Sequence, residues 1–185
     1  MENLDAKDCL RTFTGKYVNL VDPKPEMIDI IDIAHGLAYN SRWGGQLPSF
    51  LSVAQHSMLC ADLAPPELKF EALMHDSTEA LLKDVPKPLK NLIPEYSVIE
   101  ARLHKVIANK YGLSEVISKK VHNIDRFVLE KEWNDLFVMN PKDDGLAPLS
   151  YMTSALAKVK FLEMFYELMP ERCETVEILS SGIVK

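Results

Sequence analysis

The feature that most constrains the fold is an apolar helical stretch, residues 67–82, that carries several polar groups. Its hydrophobic residues recur with a helical period, and His75, Asp76 and Glu79 stand among them. Burying such groups without partners costs several kcal/mol, so something must compensate them. A divalent cation is an economical partner, because Zn, Mn, Fe and Co accept neutral imidazole and carboxylate ligands.

The rest of the pattern predicts an all-α protein, a compact bundle of about six helices in one domain. The strand-like signal lies in residues 12–20, which predict a short hairpin or extended arm. We therefore expect an N-terminal arm (1–27), a core (about 28–169) and a C-terminal tail (170–185). The predicted helices cover 28–38, 53–63 with Ser52 as N-cap, the segment opened by Pro65-Pro66, 94–111 ended by Gly112, 114–139 with Ser114 as N-cap, and 150–169.

Composition excludes several classes of function. The net charge of −6 argues against binding of a nucleic-acid polymer, which needs clustered Lys and Arg. No stretch approaches the ~18 apolar residues of a membrane span. Cys9, Cys60 and Cys173 are widely spaced and odd in number, which is typical of free thiols in a reducing compartment. We expect a cytoplasmic protein, no membrane partner, and a homo-oligomer.

Further polar groups fall where core residues are expected: His35, His56 and Asp125. Taken singly, each has a simple explanation, since a lone His on an apolar face is usually a hydrogen-bonded core residue. The combination is harder to dismiss, because His75 and Asp76 lie about 100° apart around a helix and converge only on an atom outside it. A cation that also received His56 and Asp125 would keep positions open for water or substrate.

The order of these groups resembles the HD-domain phosphohydrolases, a family named for its His-Asp doublet. The matching motifs are His56, then Leu73-Met74-His75-Asp76-Ser77-Thr78-Glu79, then Asp84-Val85-Pro86-Lys87-Pro88, then Asp125. The resemblance is closest to the branch of 5'-deoxynucleotidases and phage dATP triphosphohydrolases, and it runs from about Thr12 to Phe137. It departs from that branch at Lys83, where Gly is usual, so the sequence does not decide the backbone conformation of this loop.

The resemblance implies a role for each matching position. The metal ligands would be His56, His75, Asp76 and Asp125. Glu79 would orient or deprotonate the attacking water, and Asp84 would be a supporting or leaving-group carboxylate. Arg42 and Trp43 would contact the nucleotide. The cofactor would be a divalent metal ion, with Mn, Co, Zn, Fe and Mg all open.

The residues themselves leave alternatives open. Glu79 follows His75 by four positions, which places both on one helix face, but Glu79 could instead pair with Lys83. Arg42 and Trp43 suit a phosphate or ribose and a base, but they could be a solvated Arg beside a core Trp.

Three lysines beside Asp84, namely Lys83, Lys87 and Lys90, could hold a polyphosphate or could simply be solvated. The sequence thus predicts a divalent-metal-dependent hydrolase of a deoxynucleoside triphosphate, with dATP suggested only by the resemblance. The alternatives are a 5'-deoxynucleotidase acting on monophosphates, and a helical module that binds a nucleotide without cleaving it.

Overall fold

A computed structural model describes residues 7–139 and 144–169. The predicted C-terminal tail and Cys173 lie outside the described residues. The predicted all-α class is confirmed, and a two-stranded hairpin forms near the N-terminus. The α-helices are α1 (Ile30–Ala38), α2 (Val53–Leu63), α3 (Lys69–Met74), α4 (Glu79–Leu82), α5 (Lys87–Lys90), α6 (Pro94–Tyr111), α7 (Lys119–Glu132) and α8 (Ser154–Leu168).

The N-terminal arm is the predicted hairpin. Strand β1 (Cys9–Arg11) pairs antiparallel with β2 (Tyr17–Asn19). Its turn is fixed to α1, because the backbone N–H and the hydroxyl of Thr14 both donate to Asp32 at 2.7 Å. Phe13 also stacks on His35 with ring centroids 4.0 Å apart. The arm therefore packs as part of the domain.

Helix ends follow the local sequence in most places. Ser52 caps α2 and forms a capping box with Gln55, and Gly112 ends α6 in the left-handed conformation, both as predicted. The predicted Ser114 cap is wrong: α7 begins after Ser118, whose hydroxyl accepts from the Val121 N–H at 3.3 Å. The last predicted helix begins after the Thr153 cap.

The core lies where α2 packs on α3, α7 and α8, and where α1 packs on α4 and α8. Its largest fully buried side chains include Phe161 and Phe165 of α8 and Leu37 of α1. Gly36 lets α1 and α4 approach each other closely, because a Cβ atom at this position would lie 2.4 Å from the Ala80 carbonyl oxygen. This contact seats α4, which begins at Glu79, directly against α1.

No helix among the described residues has the length and apolar character required to cross a membrane. The cytoplasmic location stays a prediction.

Candidate metal centre

The His-Asp doublet lies in a tight turn between two short helices. Helix α3 ends at Met74 and α4 begins at Glu79. The N–H of Ser77 donates to the Met74 carbonyl at 3.0 Å, and the N–H of Glu79 donates to the Asp76 carbonyl at 2.9 Å. These bonds span three residues, as in a 3₁₀ turn. The expectation of one continuous helix through residues 67–82 is therefore wrong.

The structure nevertheless brings the four predicted ligands together. The Nε2 atom of His56, on α2, lies 3.1 Å from Asp125 Oδ1 and 3.7 Å from Asp76 Oδ2. The Nε2 atom of His75 lies 3.3 Å from Asp76 Oδ2 and 3.9 Å from Asp125 Oδ1. Two histidines and two aspartates from α2, the turn after α3 and α7 thus face one point.

Both imidazoles are oriented through their other nitrogen. The Nδ1 atom of His75 donates to the Ala72 carbonyl at 2.7 Å, and the Nδ1 atom of His56 lies 2.7 Å from Glu132 Oε1. In its neutral form each ring therefore carries its proton on Nδ1 and presents the Nε2 lone pair to the centre. Among the described residues, buried His75 Nε2 has no hydrogen-bond partner despite the nearby carboxylates.

This arrangement fits a divalent cation. Ligand atoms about 2.1 Å from a tetrahedral ion lie about 3.4 Å from one another, and the observed separations of 3.1 to 3.9 Å bracket that value. A cation would also give the orphaned Nε2 of His75 a partner. Cys60, one turn after His56, lies 3.6 Å from His56 Nε2 through its Sγ. It forms a second possible ligand set with His56, His75 and Asp125, whose ligand atoms all lie within 4.8 Å of one another and in which Cys60 takes the place of Asp76.

The electrostatics of the centre favour a positive charge. Burial opposes protonation of His56 and His75, but the neighbouring carboxylates outweigh it and raise the pKa of both rings well above the ordinary value. Burial also opposes ionisation of Asp76 and Asp125, yet the two histidines hold the pKa of each carboxyl well below its usual range. A bound divalent ion would take the place of the protons on these rings.

Glu79 is buried beside the centre, with 6% of its surface exposed. It pairs with Lys90, not with Lys83 as the alternative had it: Lys90 Nζ lies 3.4 Å from Glu79 Oε1 and 2.9 Å from Glu100 Oε1. Glu79 Oε2 has no hydrogen-bond partner among the described residues. Burial, followed by the charges of Asp76 and Asp84, raises the pKa of Glu79 well above its ordinary value. Such a carboxyl keeps its proton to a higher pH than an exposed glutamate does.

Arg42 is buried between two carboxylates, so it is not a solvated arginine. Its Nη1 lies 3.2 Å from Asp84 Oδ2, and its Nη2 lies 3.2 Å from Glu132 Oε2. The backbone N–H of Trp43 also donates to Asp84, at 3.3 Å. Asp84, predicted as a supporting or leaving-group carboxylate, therefore holds the Arg42-Trp43 turn, and burial is the main cause that raises its pKa.

An aromatic corner, defined here as Trp43, Trp133 and Phe137, lies beside Arg42. The Trp43 ring centroid is 5.8 Å from that of Trp133 and 5.2 Å from that of Phe137. Trp133 and Phe137 belong to a π-helical turn that follows α7 directly. About half of the Trp133 surface is exposed, so the corner offers a flat apolar face to a ligand.

The predicted lysine cluster is divided. Lys83 and Lys87 are exposed, whereas Lys90 is paired with Glu79 and Glu100. Lys83 adopts φ 73° and ψ 157°, a region that glycine enters easily and other residues rarely. The loop thus has a backbone conformation typical of glycine although it carries Lys.

Two residues of the site escaped the sequence analysis, Glu132 and Cys60. Glu132 follows Asp125 by seven positions, which are two helical turns, and Cys60 follows His56 by four. These spacings would have placed both on the faces of the predicted ligands. Glu132 was hidden among charged neighbours on α7, and Cys60 was interpreted only as a free thiol.

A cavity of about 470 Å³ opens between α2, α8 and residues 148–152. Among the described residues its lining includes His56 and Glu132, but none of His75, Asp76 and Asp125. Asp62, Glu163 and Glu167 also line it, and Lys160, which pairs with Glu163 at 2.8 Å, leaves an excess of negative charge that disfavours a phosphate. We therefore do not assign the predicted substrate to this cavity.

Comparison with known proteins found relatives in two bacteria. The chain is 44% identical over 136 residues to "Uncharacterized protein YfdR" of Escherichia coli (strain K12), with 74% of each chain covered. It is 38% identical over 117 residues to "Uncharacterized protein RCAP_rcc00048" of Rhodobacter capsulatus, with 58% of this chain and 60% of the relative covered. No family model matches the chain.

Proposed function

Because the chain belongs to the same protein family as Escherichia coli YfdR, whose name gives no activity, we propose its function from the geometry of the site. The protein is a divalent-metal-dependent phosphohydrolase that acts on deoxynucleotides. The observation that carries this proposal is the convergence of four ligands, His56, His75, Asp76 and Asp125, with both imidazoles oriented through Nδ1. The resemblance of the ordered motifs to the HD-domain phosphohydrolases supports it.

The chemistry follows from the groups around the ligands. A divalent ion held by these four side chains would lower the pKa of an attacking water and polarise a phosphoryl oxygen. Glu79, buried and with a free Oε2, would accept the proton of that water as it attacks phosphorus. The bond from phosphorus to the leaving oxygen then breaks, this oxygen takes up a proton from the solvent, and Glu79 releases the proton that it accepted. Lys90 would keep the Glu79 carboxylate in place through its contact with Oε1.

The aromatic corner is the proposed seat of the nucleoside. The exposed face of Trp133 and the adjoining Trp43 would stack on the base, while Arg42 and its carboxylate partners fix the geometry next to the sugar. A module that binds a nucleotide without cleaving it would have no use for a buried, partly unpaired acid, and Glu79 therefore disfavours that alternative.

For the substrate, we propose a deoxynucleoside triphosphate, gripped by the exposed Lys83 and Lys87 beside Asp84. The second candidate is a deoxynucleoside monophosphate. One observation favours it: Lys90, the third lysine of the cluster, is already neutralised by Glu79 and Glu100. The monophosphate would need only the metal and one cation.

The decisive experiment is a screen of phosphate and nucleoside release over deoxynucleoside and ribonucleoside mono- and triphosphates. We expect turnover with added Mn²⁺, Co²⁺ or Zn²⁺, none in excess chelator, and recovery when the metal is restored. The double variant Lys83→Ala/Lys87→Ala should lower kcat/KM for the triphosphate about tenfold or more and spare the monophosphate, since hydrogen bonds to charged groups contribute about 1.5–3 kcal/mol. Equal turnover with and without chelator would refute the proposed mechanism.

A further inference from the structure

Glu132 is the most completely buried carboxylate of the site, with 0% of its surface exposed. Both oxygens accept from Arg42 Nε, at 3.4 Å and 3.3 Å, and each oxygen has a further partner. Oε1 lies 2.7 Å from His56 Nδ1. Oε2 accepts from Arg42 Nη2 at 3.2 Å and from Trp43 Nε1 at 2.8 Å. One side chain therefore touches a predicted metal ligand and both predicted nucleotide residues.

We propose that Glu132 is a positioning residue that couples metal binding to nucleotide binding. Through Oε1 it holds the proton of His56 on Nδ1 and turns Nε2 toward Asp125 and Asp76. Through both oxygens it holds Arg42, and through Oε2 it also holds the Trp43 indole in the orientation of the aromatic corner. This inference rests on the proposed function and adds a physical link between the metal site and the nucleotide site.

The position of Glu132 along the chain strengthens the inference. It ends α7, and Trp133 and Phe137 of the π-helical turn follow it at once. The same helix carries Asp125, two turns earlier. A small movement of this segment would therefore shift a metal ligand, the carboxylate and the aromatic corner together.

A purely structural ion pair would be built differently. The Arg42 guanidinium would be satisfied by Asp84 and one carboxylate oxygen, and His56 could bond to a backbone carbonyl as His75 does. Instead, His56 and Arg42 share a single buried carboxylate. Removal of Arg42 would leave that carboxylate without its cationic partner and free to draw His56 away from the centre.

The test uses Glu132→Gln, which keeps the shape of the side chain but cannot accept hydrogen bonds on both sides. If its amide oxygen accepts from His56, its NH₂ group opposes the N–H donors of Arg42 and Trp43. We expect the affinity for Mn²⁺ or Co²⁺, titrated calorimetrically into metal-free protein, to fall about 10- to 100-fold. The matched control is Glu130→Gln on the same helix, whose carboxylate pairs with Arg126 at the surface and should leave affinity unchanged.

Arg42→Met supplies the sharper test of coupling, because Arg42 is not a metal ligand. It should weaken metal affinity several-fold, and its effect should not add to that of Glu132→Gln in the double variant. Glu132→Asp should recover part of the lost affinity. Additive effects, or metal affinity unchanged by Glu132→Gln in protein that keeps its melting temperature, would overturn the proposal. These measurements of metal affinity need no turnover. If the wild-type protein binds metal with this coupling but releases no phosphate, the proposed activity is refuted and the role of Glu132 stands.

Discussion

At the scale of single residues, the site depends on side chains that are held from two directions. The imidazole of His56 contacts Glu132 through Nδ1 and faces the other ligands through Nε2. Glu79 is held differently, since one oxygen contacts Lys90 and the other has no partner among the described residues. A buried, partly unpaired carboxylate costs stability, which is common where a group is kept for reactivity.

Glu79→Gln should therefore lower activity and raise stability together. We expect kcat to fall by roughly 10² to 10⁴, the usual scale for a general acid or base, with metal affinity nearly intact. Because burial raises the pKa of Glu79 in the folded protein, ionisation opposes folding as pH rises above the unfolded value of about 4.3. The gain in stability should thus be clear at pH 7 and vanish near pH 4.

The matched control for this variant is Glu100→Gln, which removes the other carboxylate partner of Lys90. It should leave kcat close to the wild-type value. Melting temperatures of metal-free protein across pH and initial rates at saturating substrate supply the measurements. Normal turnover by Glu79→Gln would mean that another base accepts the proton of water.

Cys60→Ser tests whether the thiol is a ligand. The Sγ atom lies 3.6 Å from His56 Nε2 and is completely buried. If the aspartates complete the site, Cys60→Ser should change metal affinity less than threefold, whereas Asp76→Asn should lower it at least tenfold. If the thiolate binds, the variant should instead lose preference for Zn²⁺ over Mn²⁺, because soft thiolates select Zn²⁺. Competition titrations with both metals distinguish the outcomes.

At the scale of elements, the turn that carries the doublet and the loop at Lys83 matter more than helix length. Residues 75–78 break the helix and turn His75 and Asp76 toward one point. Helix α4 spans Glu79–Leu82 and packs on α1 at Gly36, which leaves no space for a Cβ atom. The chain then leaves α4 through Lys83 with positive φ.

Lys83→Gly should stabilise the protein. The backbone at this position is strained by about 1 to 3 kcal/mol for a residue with a Cβ atom, and Gly relieves this strain. The larger conformational entropy of Gly in the unfolded chain offsets about 0.5 to 1 kcal/mol of the stabilisation. We expect a net gain of about 1 kcal/mol in the free energy of unfolding, measured by urea denaturation. Lys87→Gly, in α5, should instead destabilise. A loss of stability in Lys83→Gly would show that the Lys side chain makes a compensating contact.

The sequence predicted the elements better than it predicted their connections. Local signals such as Ser52 and Gly112 marked helix ends correctly, because a cap depends on a few adjacent residues. The helix break at residues 75–78 contains no Gly or Pro, so no local sequence signal predicts it. Glu132 pairs with Arg42 across ninety positions of the chain, and no local pattern encodes such a contact.

At the scale of the whole molecule, the centre joins parts of the fold that are distant in sequence. Its predicted ligands come from α2, from the turn after α3 and from α7, and these helices pack on one another in the core. An unfolded chain cannot offer this set of ligands together. Binding of a metal should therefore stabilise the entire domain.

We expect the melting temperature to rise by about 5 to 10 °C when free metal reaches about a hundred times its dissociation constant, which corresponds to about 2.7 kcal/mol. Chelation should reverse the shift. The double variant His75→Ala/Asp125→Ala should show no dependence of its melting temperature on metal, and calorimetric scans would measure each case. A wild-type melting temperature that is the same with metal and with chelator would contradict the assignment of the centre.

The aromatic corner gives the protein an optical property. The chain contains two tryptophans, Trp43 and Trp133, and both stand at this corner with ring centroids 5.8 Å apart. Indole emission excited at its red edge therefore originates entirely beside the candidate site. Quenching of this fluorescence reports on binding at that corner without a label. A nucleotide that stacks there should lower the tryptophan fluorescence of the unmodified protein.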